Sequence, residues 1–267
     1  MTLFKCQTKH TTIFKYMFDM LFHNIDTVPI CISEEGFAIF DKTDKHAPGE
    51  SEDDETIYNE SKSGYIFNIK FPHDKFDYWK FTGDRPVFFG IGTANSQDFK
   101  ELTNKSIMEM SIDAKKSSIE SLVLKITVAN TSRNLIKKFV MYSEEIPFFT
   151  QPNMIRPKTS LTLQSQDFTS LCKGFKTGPV FIKCDSDGFS IANKLDGVRE
   201  KCFMFPEAFD VTIDATLTGE KLMAISKIAM CVESIVVWID ENYIIISGAS
   251  LLGIIEVLVF YNSDQDM

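Results

Sequence analysis

Lysines recur in pairs at the segments with helical periodicity, and they are the side chains of this chain best suited to contact phosphate. Such cations attract a nucleic-acid backbone without reading its sequence. The pairs are Lys9 and Lys15, Lys100 and Lys105, Lys173 and Lys176, and Lys221 and Lys227. Five acids lie in the same stretches: Asp19, Asp98, Glu101, Asp167 and Glu220. These counts fit ordinary solvated faces of amphipathic helices as well as a mildly basic surface.

Sequence signatures of catalysis are absent. The chain has no G-x-x-x-x-G-K-[ST] phosphate loop, no G-x-G-x-x-G after a strand and no G-x-S-x-G elbow. Asp185 with Asp187, and Asp53 with Asp54, could bind a divalent cation, but a turn and an acidic loop explain them. The four histidines and six cysteines are scattered without zinc-ligand spacing. We therefore expect no metal, no cofactor and no catalytic residue.

Few segments show helical periodicity, and strand patterns dominate the remainder. The predicted helices are Thr11–Asn24, Ser96–Asn104, Ser165–Phe175 and Gly219–Met230, with Ser96 and Ser165 as expected N-caps. The predicted strands, rich in Val, Ile, Phe and Tyr, are Val28–Ile32, Phe37–Phe40, Tyr65–Phe71, Val87–Ile91, Leu122–Val128, Ile136–Tyr142, Ser160–Leu163, Val180–Cys184, Lys201–Phe205, Phe209–Ile213, Ile235–Ile239, Tyr243–Ser247 and Ile254–Phe260. This pattern predicts an α+β protein dominated by antiparallel sheet.

An internal repeat organises the pattern. A helix, a T-x-P-x strand start and an acidic-Gly-Phe turn occur first at 27–37 and again at 177–189. The turn glycines, Gly36 and Gly188, are expected to adopt positive φ. The proline-bearing segment 143–159 joins the copies. It is either a linker packed on the sheet or half of a peptide-binding groove.

Bulk composition indicates a soluble globular protein in a reducing, intracellular compartment. Hydrophobic residues make up 44% of the chain, and its 24 phenylalanines predict a core built on aromatic rings. No run of about 18 apolar residues predicts a membrane span. The N-terminus does not resemble a secretory signal, and scattered cysteines favour free thiols.

The net charge of −9 argues at first against a nucleic-acid partner. Residues 34–60, however, hold ten acids and two lysines, so they account for −8 of the −9. The rest of the chain is close to neutral, and DNA binding is not excluded. Residues 43–64 are acidic and poor in apolar side chains, which is typical of a solvated loop; a specific electrostatic role is the alternative.

The order of these parts is similar to that of the DNA sliding clamp family, proliferating cell nuclear antigen. Residues 32–37 resemble its first-domain hairpin, residues 75–80 its G-F-D-x-Y segment, and residues 167–172 its E-F-x-x-I-C helix. Residues 184–189 look like its C-x-x-D-G-V turn, and residues 252–261 like its closing G-H-L-x-Y-Y-L-A-P strand. The acidic insertion departs from typical members, and the divergence suggests a large DNA virus as the source.

The resemblance implies a DNA clamp fold and a homotrimeric ring threaded by duplex DNA. Two similar β-rich domains, each with two helices, would span residues 1–142 and 160–267, with the connector at 143–159. Helices would line the hole, which makes the eight lysines above the expected DNA-channel residues. Subunits would join edge to edge through Leu135–Tyr142 and Val198–Phe205.

The resemblance also implies a groove that binds peptides of polymerases, ligases or nucleases. The expected groove residues are Phe40, Phe148, Phe149, Leu258, Phe260 and Tyr261. Core packing is the alternative role for Leu258 and for the connector phenylalanines.

These expectations describe a non-enzymatic sliding clamp. It would confer processivity on a DNA polymerase and serve as a docking platform for replication and repair proteins, with a clamp loader as a further partner and no membrane contact. It would act in the nucleus or, if viral, at the site of viral DNA replication. The alternatives are a monomeric or dimeric processivity subunit that closes no ring and a clamp-like transcription or checkpoint factor. An acidic hydrolase would need a carboxylate cluster that the sequence does not supply.

Overall fold

Two series of strands and helices follow one another along the chain in the same order, except that the first contains one additional strand. The computed structural model describes residues 2–42, 64–113, 121–130, 132, 135–144, 154–195, 199–206, 209 and 211–261. The first series comprises β1 (Thr2–Thr8), α1 (Thr11–Asn24), β2 (Thr27–Ile32), β3 (Gly36–Lys42), β4 (Tyr65–Pro72), β5 (Tyr78–Phe81), β6 (Val87–Gly92), α2 (Ser96–Lys100), β7 (Ser106–Asp113), β8 (Ser121–Asn130) and β9 (Leu135–Glu144). The second comprises β10 (Ser160–Gln164), α3 (Ser165–Gly174), β11 (Pro179–Asp185), β12 (Gly188–Leu195), β13 (Arg199–Phe205), β14 (Ile213–Thr218), α4 (Gly219–Ile225), β15 (Ser234–Ile239), β16 (Tyr243–Ala249) and β17 (Ile254–Phe260).

Strand pairing is the same in both series. β2 pairs with β3 and β6, and β3 pairs with β4. In the second series, β11 pairs with β12 and β14, and β12 pairs with β13. Likewise β1, β7, β8 and β9 pair in succession, as do β10, β15, β16 and β17. The internal repeat that the sequence indicates is therefore present in the hydrogen-bonded topology.

One long antiparallel sheet runs through both repeats because the last strand of the second repeat pairs with β4 of the first. We call this β4·β17 pairing the seam; its register runs from Ile254 opposite Lys70 to Val259 opposite Tyr65. The long sheet has the order β10-β15-β16-β17-β4-β3-β2-β6-β9-β8-β7-β1-β5. Strands β11 to β14 form a separate sheet in the order β13-β12-β11-β14.

The two predicted turn glycines adopt the conformation that the sequence requires. Gly36 has φ +147° and Gly188 has φ +136°, values that residues with a side chain rarely adopt. A Cβ on Gly36 would lie 2.3 Å from the carbonyl oxygen of Phe71, and one on Gly188 would lie 2.4 Å from that of Phe205. Each glycine therefore lets its hairpin approach the next strand closely.

Aromatic rings fill the core, as the composition predicts. Nine of the twelve largest fully buried side chains are phenylalanines. The Phe14 ring of α1 meets Phe37 and Phe71 edge to face, with centroids 5.5 and 5.6 Å apart. Each such pair contributes about 0.5–1.5 kcal/mol beyond its area burial. These contacts fix α1 against the sheet and leave its opposite face for solvent.

The helix α1 has the predicted bounds, whereas the predicted N-caps are wrong. Helices α2 and α3 begin at Ser96 and Ser165 themselves, and neither helix has a side-chain cap. The Ser165 hydroxyl instead donates to the carbonyl of Val232 at 2.6 Å. Thr218 does cap α4, because its hydroxyl accepts from the backbone N–H of Lys221 at 3.2 Å.

One predicted strand lies in the wrong place. Phe209 is outside any strand: its N–H donates to the Asp185 carbonyl at 3.1 Å, and its ring packs on the core. The strand that pairs with β11 starts at Ile213 instead. Strands β1, β5, β7 and β12 lie in segments for which periodicity predicts no strand.

Candidate functional site

Helices from both repeats form one layer on the sheet, which we call the helical layer. Helix α1 packs against α2 and also against the 3-10 turn Ser226–Met230, which belongs to the second repeat. Helix α3 packs against the same turn and against α4. The Cys231 thiol contacts the Ile13 carbonyl at 3.8 Å across this junction. The helical layer is therefore continuous across the seam.

Two of the expected DNA-channel lysines are engaged where the repeats meet. The Lys227 ammonium lies 3.2 Å from the Asp19 carboxylate of α1. The Lys221 ammonium donates to the Phe260 carbonyl at 3.3 Å, at the end of β17. The Lys227 ion pair therefore links the two repeats, whereas the Lys221 contact lies within the second repeat, beside the seam.

Two more are engaged within the first repeat. The Lys9 ammonium lies 3.6 Å from the Asp77 carboxylate, which also accepts from the Lys9 backbone N–H at 2.8 Å. The Lys15 ammonium donates to the Leu102 carbonyl at 3.2 Å and is half-buried. The Asp77 carboxylate offsets the charge of Lys9, and the Leu102 carbonyl anchors the Lys15 side chain.

The remaining four, Lys100, Lys105, Lys173 and Lys176, are exposed. Lys173 lies on the face of α3 opposite the buried Phe168, Leu171 and Cys172. The ion pairs found among the described residues include none of Lys100, Lys173 and Lys176. Their charges are therefore available to a phosphate backbone. Salt screens this attraction, as it does for any exposed cation.

The outer face of the sheet, opposite the helical layer at the seam, carries a separate apolar cluster. Leu258 and Phe260 of β17 pack there with Ile66, Tyr243 and Ile245. Their burial comes from the segment that precedes β10, because Met154 packs on the cluster and the Tyr243 hydroxyl donates to the Ile155 carbonyl at 3.1 Å. The end of the connector therefore lies on this face, as either of its two predicted roles requires.

The other expected groove residues are not gathered at this cluster. Phe40 is half-buried on β3, with the Lys70 ammonium 5.9 Å from its ring centroid. Tyr261 packs against the main core on the opposite side. Burial raises the pKa of its phenol well above the usual range, and the hydroxyl has no hydrogen-bond partner among the described residues. Phe148 and Phe149 lie outside the described residues.

A buried glutamate in the middle of β17 is the feature of this face that the prediction missed. Glu256 is 4% exposed and accepts hydrogen bonds from Asn68 Nδ2 at 2.8 Å and from Ser247 Oγ at 3.2 Å. It also forms an ion pair with Arg156, whose guanidinium lies 5.0 Å from the Trp238 ring centroid. A buried carboxylate is retained only when it is paired in this way. The charge of Glu256 within an apolar run is the sequence signal that would have found it.

Burial lowers the reactivity of the thiols that lie in or beside the core. The pKa of the Cys31 thiol is raised to about 11, and those of Cys172 and Cys231 are raised to about 12. A thiol that stays protonated at neutral pH is a poor nucleophile. Among the residues that the structure describes, no three His, Cys, Asp or Glu side chains are grouped to hold a metal ion. Within the same residues, no helix is long and apolar enough to cross a membrane.

Two strand edges, which we call the open edges, have no partner along most of their length in the described residues. β13 is the outermost strand of its sheet, and β9 pairs with β6 only through Gly90 and Glu144. Exposed apolar side chains lie on them: Ile136 at 63%, Val140 at 52% and Met204 at 71%. By the repeat, β13 is the counterpart of β4, and β9 is the counterpart of β17. The open edges therefore belong to the repeat counterparts of the two strands that pair at the seam.

Comparison with known proteins relates this geometry to one fold. No family model matches the sequence, and no curated protein matches it. Among solved structures, the chain is similar to the crystal structure of the proliferating cellular nuclear antigen from Entamoeba histolytica, with a TM-score of 0.74 at 15% sequence identity. The match covers 98% of this chain and 100% of that one. The fold is therefore the DNA clamp fold, of the α+β class.

Proposed function

We propose that this chain is a sliding clamp: three copies close a ring around duplex DNA, and the ring tethers a DNA polymerase and other replication or repair proteins. It has no catalytic activity of its own. The observation that carries the proposal is a clamp fold over the whole chain together with the complementary open edges of β9 and β13.

Ring closure follows from repeating the seam between copies. In the chain, β17 pairs with β4 through a continuous antiparallel ladder. Pairing the counterpart strands, β9 of one copy with β13 of the next, would bury Ile136, Val140 and Met204 and would cover two sheet edges. Each such junction leaves one further edge of each kind, so the assembly continues until it closes on itself.

DNA contact falls to the helical layer. A clamp that slides needs diffuse attraction to phosphates and no base readout. Exposed Lys100, Lys173 and Lys176, repeated in every copy, suit that requirement. Lys105 is exposed too, but it already has a partner within the chain. The engaged Lys9, Lys15, Lys221 and Lys227 complete the expected channel set but contribute less, since protein groups already partner them. The strong acidity of residues 34–60 does not oppose this contact if that region lies outside the hole.

Partner peptides would bind on the outer face at the seam. The cluster around Leu258 and Phe260 supplies an apolar floor, and the connector supplies one wall. Phe40, Phe148 and Phe149 remain expected groove residues, whereas Tyr261 packs on the opposite side of the sheet. The acidic residues 43–63 lie outside the described residues; we propose that they favour partner peptides with basic flanks. Deleting residues 44–62 should then weaken such peptides at low salt, and unchanged affinity would contradict this role.

Retention on circular DNA tests the proposal directly. A closed ring loaded on nicked circular duplex should remain bound at high salt and should leave when the circle is linearised. Native mass gives the assembly: a species near three times 30.4 kDa is expected. A chain that stays monomeric at micromolar concentration, or that leaves circular and linear DNA equally fast, would rule out encirclement and leave a processivity subunit that closes no ring.

A further inference from the structure

Equivalent positions on the first helices of the two repeats carry opposite charges. Helices α1 and α3 begin at Thr11 and Ser165, whose hydroxyls each donate to a backbone carbonyl at 2.6 Å. Three residues later, Phe14 and Phe168 are both buried, which fixes the alignment. Eight residues after each start lie Asp19 in α1 and Lys173 in α3.

The second helices show the reverse assignment. Strands β6 and β14 end at Gly92 and Thr218, which pair with Thr27 and Pro179 at the starts of β2 and β11. Nine residues beyond these ends lie Glu101 in the first repeat and Lys227 in the second. Both follow a buried residue by two positions, Phe99 and Ile225 respectively.

Two of these four residues already meet. At the seam, Asp19 of α1 lies 3.2 Å from Lys227, and this ion pair joins the first helix of one repeat to the second helical segment of the other. The same relation applied to the open edges places Lys173 opposite Glu101 of another copy. In the chain itself, Lys173 is exposed, and Glu101 is held by Lys137 of β9.

Space for the incoming helix is present beside Glu101. A cleft of about 650 Å³ lies between the end of α2 and strands β8 and β9. Glu101, Leu102, Val128 and Phe139 line it, so an apolar floor adjoins the carboxylate. At the seam, α1 packs against the corresponding segment of the second repeat, the turn Ser226–Met230.

We propose that Lys173 of one copy pairs with Glu101 of the next, as the charge-reversed counterpart of the Asp19–Lys227 pair. The partner at this surface is a second copy of the same chain, and the inference rests on the proposed ring. The reversal has a further consequence for specificity. Joining two first repeats would place Asp19 opposite Glu101, and joining two second repeats would place Lys173 opposite Lys227. Like charges therefore disfavour both wrong joints, and the repeats alternate around the assembly.

A charge-swap experiment tests the pair. Lys173→Glu and Glu101→Lys should each weaken self-association, measured by sedimentation without DNA, by about threefold to tenfold per junction. The double variant should recover most of the loss. Lys176→Glu makes the same charge change at another exposed lysine near the end of α3 and serves as the matched control. A wild-type ring with unaltered single variants, or with no recovery in the double variant, would overturn the pair.

Disulfide trapping reports proximity independently of energy. Glu101→Cys with Lys173→Cys, in a Cys202→Ser background that removes the exposed native thiol, should cross-link copies into a closed covalent ring. The Lys176→Cys analogue should cross-link far more slowly. A wild-type chain that assembles while the first pair fails to cross-link contradicts the inference alone. A wild-type chain that never assembles contradicts both the inference and the proposed clamp.

Discussion

The seam and the open edges use the same strands of the repeat, yet the chain closes only the seam. At the seam, the β17 residues Ile255, Val257 and Val259 are fully buried. At the open edges, Ile136 is 63% exposed and Met204 is 71% exposed. The repeat unit thus makes two complementary edges, and two units in one chain can join only one pair. The difference in burial between the two sites is the basis for proposing that the exposed apolar side chains form the contact between copies.

Placing a carboxylate on the open edges should have the largest effect on self-association. Ile136→Asp and Met204→Asp should each weaken self-association at least about a hundredfold, because a buried, unpaired charge is costly to desolvate. The free energy of unfolding of the monomer should change by less than about 0.5 kcal/mol, since both side chains are exposed in the chain. Sedimentation and urea unfolding measure the two quantities. Leu251→Asp, at a residue 67% exposed in the β16–β17 turn, is the control. Unaltered assembly of both edge variants would refute the proposed pairing of β9 in one copy with β13 in the next.

Removing the buried carboxylate from the closed seam should affect stability and spare assembly. Glu256→Leu leaves Asn68 and Ser247 without their buried acceptor, so the free energy of unfolding should fall by about 2 kcal/mol. Glu256→Gln keeps an acceptor and should cost less. Urea unfolding compares the three proteins. A leucine variant as stable as the wild type would show that apolar packing replaces the ion pair without loss.

The contrast extends to the lysines of the helical layer. Lys100→Ala with Lys176→Ala should reduce DNA affinity at low salt and should flatten its salt dependence by about two phosphate contacts. Lys221→Ala with Lys227→Ala removes the same charge from lysines engaged at the seam and should reduce affinity less. Affinity titrations at several salt concentrations distinguish the pairs. The reverse ranking would show that the engaged lysines turn toward DNA.

The smallest expected effect is a change in the reactivity of the Cys202 thiol. Cys202 is exposed on β13, whereas burial raises the pKa of Cys172 and Cys231 to about 12. At pH 8, Cys202 should therefore react first with a thiol reagent, and its rate should fall several-fold as assembly covers β13. Rates measured below and above the assembly concentration test this. Concentration-independent labelling would indicate that β13 stays open.

Local sequence patterns predict the structural features that depend only on neighbouring residues. The bounds of α1 follow from its helical periodicity, and the positive φ of Gly36 and Gly188 follows from the geometry of tight turns. Strand β7 shows the limit of such patterns: its buried residues alternate as Ser106, Met108, Met110 and Ile112, but methionine is a poor indicator of strand.

Features that depend on distant partners were beyond prediction from the sequence. Serine is a residue type that often caps helices, but the Ser165 hydroxyl donates its hydrogen bond to a carbonyl 67 residues away. Lys221 looks like a surface lysine of a helix, whereas its contact with Phe260 exists only because β17 ends beside α4. The sequence places the eight lysines at or near helices, but it does not indicate which of them already contact protein groups.

The seam also determines how late in synthesis the fold can be completed, because its two strands are far apart in the chain. Strand β4 ends at Pro72, but its partner β17 does not begin until Ile254. At roughly 5–20 residues per second of synthesis, the edge of β4 waits on the order of tens of seconds for β17. During that interval one edge of the apolar strand β4 lacks a partner in the nascent chain, although β3 can pair with the other edge, and the open edge can pair with neighbouring chains. Closing the first repeat is therefore among the last events in making this protein, and chaperone dependence should peak just before residue 254 emerges.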